Sequence, residues 1–189
     1  MKNFCLFIGY PRSGHSIVGS LLDAHPNMIF SHEADSVYFV ERGYSQHDIF
    51  TIILRNSRDF ARVGRGWSDR SHELPGQWQG KYDQLLVIGD KHGGRTTKRI
   101  SDNPQLVDQI TETINCQIQW IHHVRNPFDM LATASLRFGS SDVEDHLVKT
   151  MGNFFETVDA VCKRVDPACL FEGRHEDFIS DPRDYVARL

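Results

Sequence analysis

The chain has 189 residues, of which 40% are hydrophobic and 24% are charged, and its formal net charge is −4. This composition is typical of one globular domain with a sizeable core. The slight acidity does not support a general role in binding nucleic acid or a membrane surface, and no run approaches the roughly 18 apolar residues that a membrane span needs.

We expect a cytoplasmic protein. None of the four cysteines belongs to a C-x-x-C pair, and isolated cysteines of this kind are typical of a reducing compartment. The first eight residues are apolar but too few for a signal peptide, and they run directly into a glycine loop. They are better interpreted as a buried first strand.

Short apolar runs alternate with helical patterns, which predicts an α/β fold of three layers with a central, mainly parallel sheet of about five strands flanked by helices. The predicted strands cover residues 4–8, 28–30, 84–88, 117–124 and 168–171. Helices are predicted at 14–24, 34–41, 46–63 and 103–114, from 126 onward, at 141–165 behind a capping box at 141–144, and from 181 onward. Residues 64–82, the aromatic segment, lack any period and are predicted to form a surface loop or lid.

Residues 9–16, GYPRSGHS, have the spacing of a phosphate-binding loop, G-x-x-x-x-G-K-[ST], with His15 at the lysine position. A strand precedes the loop and a helix follows it, so that backbone N–H groups at the helix start can hold an anion. Arg12 adds a planar cation and Ser16 a hydroxyl. Because the usual lysine reaches the β- and γ-phosphates, its replacement argues against nucleotide hydrolysis. The other interpretation is an ordinary glycine turn.

The loop, together with the run LDAHPN at residues 22–27, resembles the 5′-phosphosulfate loop of the sulfotransferases, which use the donor 3′-phosphoadenosine-5′-phosphosulfate. The resemblance is to the tyrosylprotein and bacterial branches of that family. Many relatives carry two threonines where this chain has His15 and Ser16. The resemblance implies a P-loop-like domain whose loop binds the donor through Arg12, Ser13, Gly14, His15 and Ser16.

A second motif, HHVRNPFD at residues 122–129, is similar to the 3′-phosphate motif of the same family. In that motif a strand ends in Arg-(Asn/Asp)-Pro, and a hydroxyl residue follows eight positions after the arginine. The resemblance implies that Arg125 and Thr133 bind the 3′-phosphate, and a guanidinium can clamp a phosphate through two parallel hydrogen bonds. Alone, the motif would mark only a helix that starts after a strand.

Two further segments extend the resemblance over nearly the whole chain. Residues 87–91, VIGDK, deliver Lys91 to the carboxyl end of a strand, where open α/β sheets place their sites. Residues 171–178, FEGRHEDF, look like the late R-Y-E-D-[LF] segment, with His175 in the tyrosine position. The resemblance implies a single domain over residues 1–189 that lacks the C-terminal end of most relatives.

The implied activity is in-line transfer of a sulfuryl group from the donor to an acceptor hydroxyl, without a metal ion. Arg12 and Lys91 are the candidates for stabilising the developing charge. Glu33, 21 residues after Arg12 and in the register of the tyrosylprotein branch, is the first candidate for the base. His92, beside Lys91, is its rival and His32 is third, while Glu33 is also explained as a surface acid before a helix.

The acceptor is expected to be a small molecule, lipid or carbohydrate rather than a protein tyrosine. Trp67, Trp78 and Tyr82 of the aromatic segment are suited to stacking on it, or they simply pack the segment onto the sheet. One alternative is a P-loop kinase or NTPase acting on a small metabolite, with Asp90 as the nearest Walker-B-type residue. Another is a degenerate relative that binds a nucleotide without catalysis.

Overall fold

The computed structural model describes residues 1–67, 70–137 and 145–189. The strands are β1 (Asn3–Ile8), β2 (Met28–His32), β3 (Gly66–Trp67), β4 (Arg70–Ser71), β5 (Val87–Lys91), β6 (Gln117–Val124) and β7 (Leu170–Arg174). The helices are α1 (His15–Asp23), α2 (Ser36–Glu41), α3 (Gln46–Arg62), α4 (Gly93–Asp102), α5 (Leu106–Ile114), α6 (Pro127–Arg137), α7 (Asp145–Cys162), α8 (His175–Ser180) and α9 (Pro182–Arg188). In this part of the chain no helix combines the length and the apolar character needed to cross a membrane.

The centre of the fold is a parallel sheet with strand order β2-β5-β1-β6-β7. Strand β1 lies in the middle, and its side chains alternate between the two faces of the sheet. Phe4, Leu6 and Ile8 pack against α2 to α7, whereas Cys5 and Phe7 pack with α1, α8 and α9. Both faces are therefore covered by helices, which confirms the predicted three-layer α/β fold.

The strand order creates a switch point beside β1. The chain passes from β1 through α1 to the edge strand β2, and only after β5 does it cross to β6 and β7 on the other side. Connections that leave neighbouring parallel strands in opposite directions open a crevice at the carboxyl ends of those strands. The loop at residues 9–14 follows β1 directly and lies at this crevice.

Two strands extend beyond their predicted carboxyl ends, and the added residues include polar ones. The prediction for 117–124 agrees with β6, but β5 runs to Lys91 and β7 runs to Arg174, three residues beyond the predicted ends. Pairing with the adjacent strand extends both, because Lys91 pairs in register with His32 and Arg174 with Val124. Tertiary pairing thus overrides the low strand propensity of these residues.

Two helices were not predicted, α4 and α8. Helix α4 starts at Gly93 and buries Thr96, Thr97 and Ile100, so its inner face has small residues where a periodic pattern would have large apolar ones. The helix predicted at 103–114 begins only at Leu106. The capping box predicted at 141–144 lies outside the described residues, and α7 from Asp145 onward agrees with the long helix expected there.

A buried carboxylate fastens the aromatic segment to the sheet. Asp23, at the end of α1, is fully buried and accepts hydrogen bonds from the Phe30 N–H (2.6 Å), the Ser57 hydroxyl (2.9 Å) and the Gly80 N–H (3.0 Å). It also forms an ion pair with Arg65, which is 2% exposed. Because Arg65 and Gly80 lie near the two ends of the segment, this one side chain holds both ends.

Replacing Asp23 with alanine leaves the Arg65 guanidinium buried without its counter-charge. We expect the free energy of unfolding, measured by urea denaturation, to fall by about 3–5 kcal/mol, as when one partner of a buried pair is removed. The matched control is Asp59→Ala, which breaks a pair with Arg62 whose side chains are 68% and 78% exposed and should cost less than about 1 kcal/mol. Equal losses in the two variants would contradict the anchoring role of Asp23.

Candidate active site

The residues that the motifs singled out meet at the carboxyl edge of the sheet. The phosphate loop follows β1, Glu33 follows β2, Lys91 ends β5 and Arg125 follows β6. These strands are adjacent in the order β2-β5-β1-β6. The sheet therefore brings four separate stretches of the sequence to one crevice.

The loop presents backbone N–H groups at the start of α1. Gly14, with φ of 100°, precedes the helix, and the first intrahelical hydrogen bond runs from the Ile17 N–H to the Gly14 carbonyl (3.2 Å). The N–H groups of Gly14, His15 and Ser16 come before that bond, so helix geometry leaves them for an external acceptor. Such a group of N–H donors at a helix start favours an anion.

Of the loop side chains, Ser13 stabilises the loop itself, whereas Arg12 is exposed. The Ser13 hydroxyl donates to the Tyr10 carbonyl (3.0 Å) and is almost fully buried, so only the backbone of Ser13 can serve a ligand. Partial burial, followed by the nearby charges of Arg137 and Arg70, lowers the pKa of Arg12, while Glu33 acts in the opposite direction. Several cations therefore approach the loop, and a bound anion would relieve their repulsion.

His15 lies beneath the loop as a neutral wedge. A Cβ on Gly93 would lie 2.4 Å from its Cε1, and a Cβ on Gly9 would lie 2.8 Å from its Nε2, so the ring fills a slot between two glycines. Burial, followed by the nearby His123 and Lys91, lowers the pKa of His15 well below its ordinary value. The ring therefore carries no charge near pH 7 and does not replace the lysine of a P-loop electrostatically.

Helix α4 braces the loop from the other side. The Gly9 N–H donates to Thr97 Oγ1 (3.0 Å), and the same hydroxyl donates to the Gly93 carbonyl (2.8 Å). Sequence reasoning missed this support, although a glycine and a threonine four residues apart after a strand were the available signal. The first turn of α4 is thus part of the scaffold of the site.

Lys91 and Glu33 form an ion pair at the bottom of the crevice. The distance from Lys91 Nζ to Glu33 Oε1 is 2.7 Å, and the two side chains are 4% and 30% exposed. The lysine stem crosses α1 at Gly19, where a Cβ would lie 2.9 Å from Lys91 Cγ. Burial lowers the pKa of Lys91, and the contact with Glu33 partly offsets that effect. A buried cation and a half-exposed carboxylate are thus held side by side.

The turn that carries Glu33 is fixed by Asp90. Glu33 has a left-handed backbone, with φ of 60°. Asp90 is fully buried and accepts hydrogen bonds from the Ser31 hydroxyl (2.7 Å), the Ala34 N–H (3.1 Å) and the Ser36 N–H (2.8 Å). Both carboxylate oxygens of Asp90 are therefore engaged within the protein, and they do not point to the loop as a Walker-B-type residue would.

The rival bases, His92 and His32, are both neutral and largely buried. His92 precedes α4, its Nδ1 is buried without a hydrogen-bond partner, and burial lowers its pKa. His32 stacks on Phe60 with ring centres 4.4 Å apart and meets the edge of Trp67 at 5.0 Å. Burial, with a smaller effect of Lys91, lowers the pKa of His32 to about 3. Both rings are thus in the uncharged form that a base requires.

The aromatic segment reaches the crevice through Trp67, which is 47% exposed and contacts His32. Trp78 lies at the other end of α1, where its N–H donates to the Ala24 carbonyl (3.3 Å). Tyr82 is close to it in the chain, and the next residue, Asp83, donates its N–H to the Pro26 carbonyl (2.8 Å). Of the three aromatic residues proposed to contact an acceptor, the structure brings Trp67 to the crevice.

The second motif touches the phosphate loop directly. Arg125 Nη1 donates to the Arg12 carbonyl at 3.3 Å, and Arg125 Nε is buried without a partner. Thr133 is half-buried on α6, and its hydroxyl donates to the Asp129 carbonyl within the same helix (2.7 Å). The arginine is therefore at the loop with a spare donor, while the threonine hydroxyl is turned toward its own helix.

The adjacent histidines of β6 face opposite sides of the sheet. His122 Nδ1 lies 3.0 Å from Glu172 Oε2, whereas His123 contacts His175 and Tyr185. Within the ranges that the structure describes, no three His, Cys, Asp or Glu side chains converge as metal ligands.

Comparison with solved structures shows that three sulfotransferase structures share this fold. The sulfotransferase domain of the Synechococcus PCC 7002 olefin synthase is 16% identical with a TM-score of 0.58, and the match covers 99% of this chain and 71% of that domain. The sulfotransferase from Alicyclobacillus acidocaldarius is 13% identical with a TM-score of 0.53, covering 100% and 78% of the two chains. The sulfotransferase domain of the curacin biosynthetic pathway is 12% identical with a TM-score of 0.51, covering 100% and 72%. No protein-family model and no curated protein matches the chain.

The slot occupied by His15 predicts the effect of two adjacent substitutions. In Gly93→Ala the new Cβ would overlap the imidazole, and we expect a loss of about 1–3 kcal/mol in the free energy of unfolding, the usual cost of overpacking. In Gly94→Ala the nearest atom would be 3.8 Å away, and the better helix propensity of alanine should leave stability unchanged or up to about 1 kcal/mol higher. Adding His15→Ala to Gly93→Ala should recover part of the loss, and strictly additive losses in urea denaturation would rule out the wedge.

Proposed function

We propose that the protein is a sulfotransferase that moves a sulfuryl group from 3′-phosphoadenosine-5′-phosphosulfate to an acceptor hydroxyl. The observation that carries this proposal is the contact between Arg125 and the carbonyl of Arg12. It joins two anion sites, the helix start below the loop and an arginine whose Nε has no partner. A nucleotide with phosphates on its 3′ and 5′ carbons presents two such anions, whereas ATP presents a single chain of phosphates.

The other groups of the crevice fit the chemistry of sulfuryl transfer. The acceptor oxygen attacks sulfur, the bond from sulfur to the 5′-phosphate oxygen breaks, and charge grows on that bridging oxygen. In this proposal the loop N–H groups and Arg12 hold the phosphate, and Lys91 stabilises the bridging oxygen and the sulfuryl group. Glu33 takes the acceptor proton, since its carboxylate lies 2.7 Å from Lys91 Nζ and is partly open to the crevice.

Two observations disfavour the alternatives. A kinase or NTPase needs a cation in the loop and a carboxylate for its metal ion, but His15 is neutral and the carboxylate of Asp90 is occupied by the turn at Glu33. A degenerate binding protein has no use for a buried lysine, because burying such a charge is costly. Lys91 is nevertheless 4% exposed and paired with an acid at the crevice.

In this proposal the acceptor binds beside the uncharged imidazole of His32 and the indole of Trp67, which contact each other. A flat, half-exposed tryptophan is suited to packing against a small hydroxylated molecule, a carbohydrate or a lipid. We place the acceptor against Trp67 with its hydroxyl directed to Glu33.

Arg125→Ala tests the proposed nucleotide. We expect the affinity for 3′-phosphoadenosine-5′-phosphate to fall by about 10- to 100-fold, the loss of a charge-assisted contact, and the affinity for AMP, which lacks the 3′-phosphate, to change little. Isothermal titration calorimetry measures both, with Arg62→Ala as the control for net charge. Equal losses for the two nucleotides would refute the 3′ contact, and tighter binding of ATP–Mg²⁺ than of the bisphosphate by the wild type would refute the proposed function.

Glu33→Gln tests the base. Turnover should fall by about 10²- to 10⁴-fold, since the amide cannot accept the proton, while calorimetric affinity for the bisphosphate nucleotide stays within a few-fold. Transfer of label from the donor to an acceptor found by screening hydroxylated compounds provides the assay. The control is Glu41→Gln, which removes a carboxylate paired with Arg99 at 2.9 Å away from the crevice. Near-normal turnover of Glu33→Gln would move the role to His92.

A further inference from the structure

Three side chains from different elements form a hydrogen-bonded chain below the phosphate loop. Tyr185 on α9 and His123 on β6 are both fully buried, and the phenol oxygen lies 2.5 Å from His123 Nδ1. His123 Nε2 lies 3.1 Å from Nδ1 of His175, the half-buried first residue of α8. The lack of a side chain at Gly173 makes room for Tyr185, because a Cβ there would lie 2.4 Å from the phenol oxygen.

The contact between the two histidines lies against the loop itself. A Cβ on Gly14 would be 2.6 Å from His175 Nδ1, 2.8 Å from His175 Cε1 and 3.1 Å from His123 Nε2. Gly14 is the residue that precedes α1 and belongs to the group of N–H donors described above. The two imidazoles therefore pack directly against the glycine that precedes α1.

The chain is built to accept one more proton at its outer end. When His175 is protonated, both of its nitrogens carry hydrogen, and Nδ1–H donates to His123 Nε2. His123 then donates its Nδ1–H to the phenol oxygen of Tyr185. These two contacts keep the same direction when His175 is neutral with its proton on Nδ1, so no heavy atom moves on protonation. The bond from the charged imidazole is the stronger one, so His123 and Tyr185 stabilise an imidazolium at His175.

In the free protein the surroundings keep this pair neutral. Burial, followed by the Arg125 guanidinium, lowers the pKa of His175, with Glu176 and Asp129 acting in the opposite direction. Burial lowers the pKa of His123 to about 4.

The remaining titratable and charged groups that face the chain change this balance little. On the strand and on α1, the neighbours of His123 are His122 and His15, whose rings burial keeps neutral. Arg188 of α9 lies over the Tyr185 ring at 5.7 Å, and Asp177 of α8 acts on the phenol. Burial, reinforced by Arg125, is thus the main effect that keeps His175 uncharged.

We propose that the phosphate loop binds its anion together with a proton, which His175 takes up from solvent and which His123 and Tyr185 stabilise. An anion in the loop adds negative charge beside His175 and offsets the repulsion by Arg125, so the charged imidazole becomes the favoured form. By linkage, affinity for the anion rises as pH falls through the range between the two pKa values of His175, by up to about tenfold per pH unit. The inference rests on the proposed function only in that the loop holds an anion.

Sulfate is the probe of choice, because its charge is constant above about pH 3, whereas the phosphates of a nucleotide titrate themselves. Long-range ¹H–¹⁵N spectra of the imidazoles, recorded from pH 5.5 to 8.5 with and without sodium sulfate, report the protonation of His175 and His123 directly. We expect sulfate to raise the pKa of His175 by at least one unit, about the tenfold linkage effect. The sulfate affinity from the same titrations should rise with falling pH.

Two variants separate this role from a structural one. His175→Gln should bind sulfate with an affinity that no longer depends on pH, and Tyr185→Phe, which removes the phenol that accepts from His123, should reduce the shift of the His175 pKa. His47→Gln, a change on the exposed surface of α3, should behave as wild type. A His175 pKa unchanged by sulfate, or an unaltered pH dependence in His175→Gln, would overturn the proposal.

The proposal and the proposed function fail in different ways. If sulfate shifts His175 but no acceptor is ever sulfated, the proton-linked anion site stands and the sulfotransferase assignment falls. If donor turnover is found with a His175 pKa that no anion moves, the assignment stands and the proton linkage falls.

Discussion

The buried carboxylate of Asp90 is the interaction on which the geometry of the crevice depends. It lies one residue before the end of β5 and accepts hydrogen bonds from Ser31 of β2 and from the β2–α2 turn, so that the two strands and the turn are fixed together. These bonds, together with the bond from the Glu33 N–H to the Lys91 carbonyl (3.1 Å), hold Glu33 in its left-handed backbone conformation. This arrangement brings the Glu33 carboxylate to Lys91, where it provides a counter-charge for the buried ammonium group.

Shape and charge at the site come from different parts of the chain. The phosphate loop is shaped by neutral groups, since His15 fills the slot between Gly9 and Gly93 and Thr97 ties the loop to α4. Apart from Arg12 in the loop, the positive charge comes from Lys91 on β5 and from Arg125 after β6. A loop without its own lysine can therefore still face an anion, because the parallel sheet brings charged residues of distant sequence to the same edge.

The sequence predicted the parts of the molecule that are encoded locally. Strand β1 is a nearly continuous apolar run, and the loop and the Arg125 motif have recognisable spacing. Helix α4 was not predicted because two glycines open it and its buried face has one large apolar residue, Ile100, beside Gly93, Thr96 and Thr97, so it lacks an apolar period. The structural roles of Asp90 and Asp23 could not be predicted for another reason. Each accepts hydrogen bonds from residues that are distant in sequence and that only tertiary folding brings near. The contact of His123 with His175 likewise joins β6 to α8 across a large separation in sequence.

The shape of the phosphate loop is fixed by contacts within the protein. Its left-handed residues Gly9, Arg12 and Gly14 are in place, and the bonds from Gly9 to Thr97 and from Ser13 to Tyr10 are formed. If the loop binds a nucleotide as proposed, these contacts leave it little chain entropy to lose on association. In kinetic terms, nucleotides that differ in a single phosphate should arrive at similar rates and be distinguished by how long they stay.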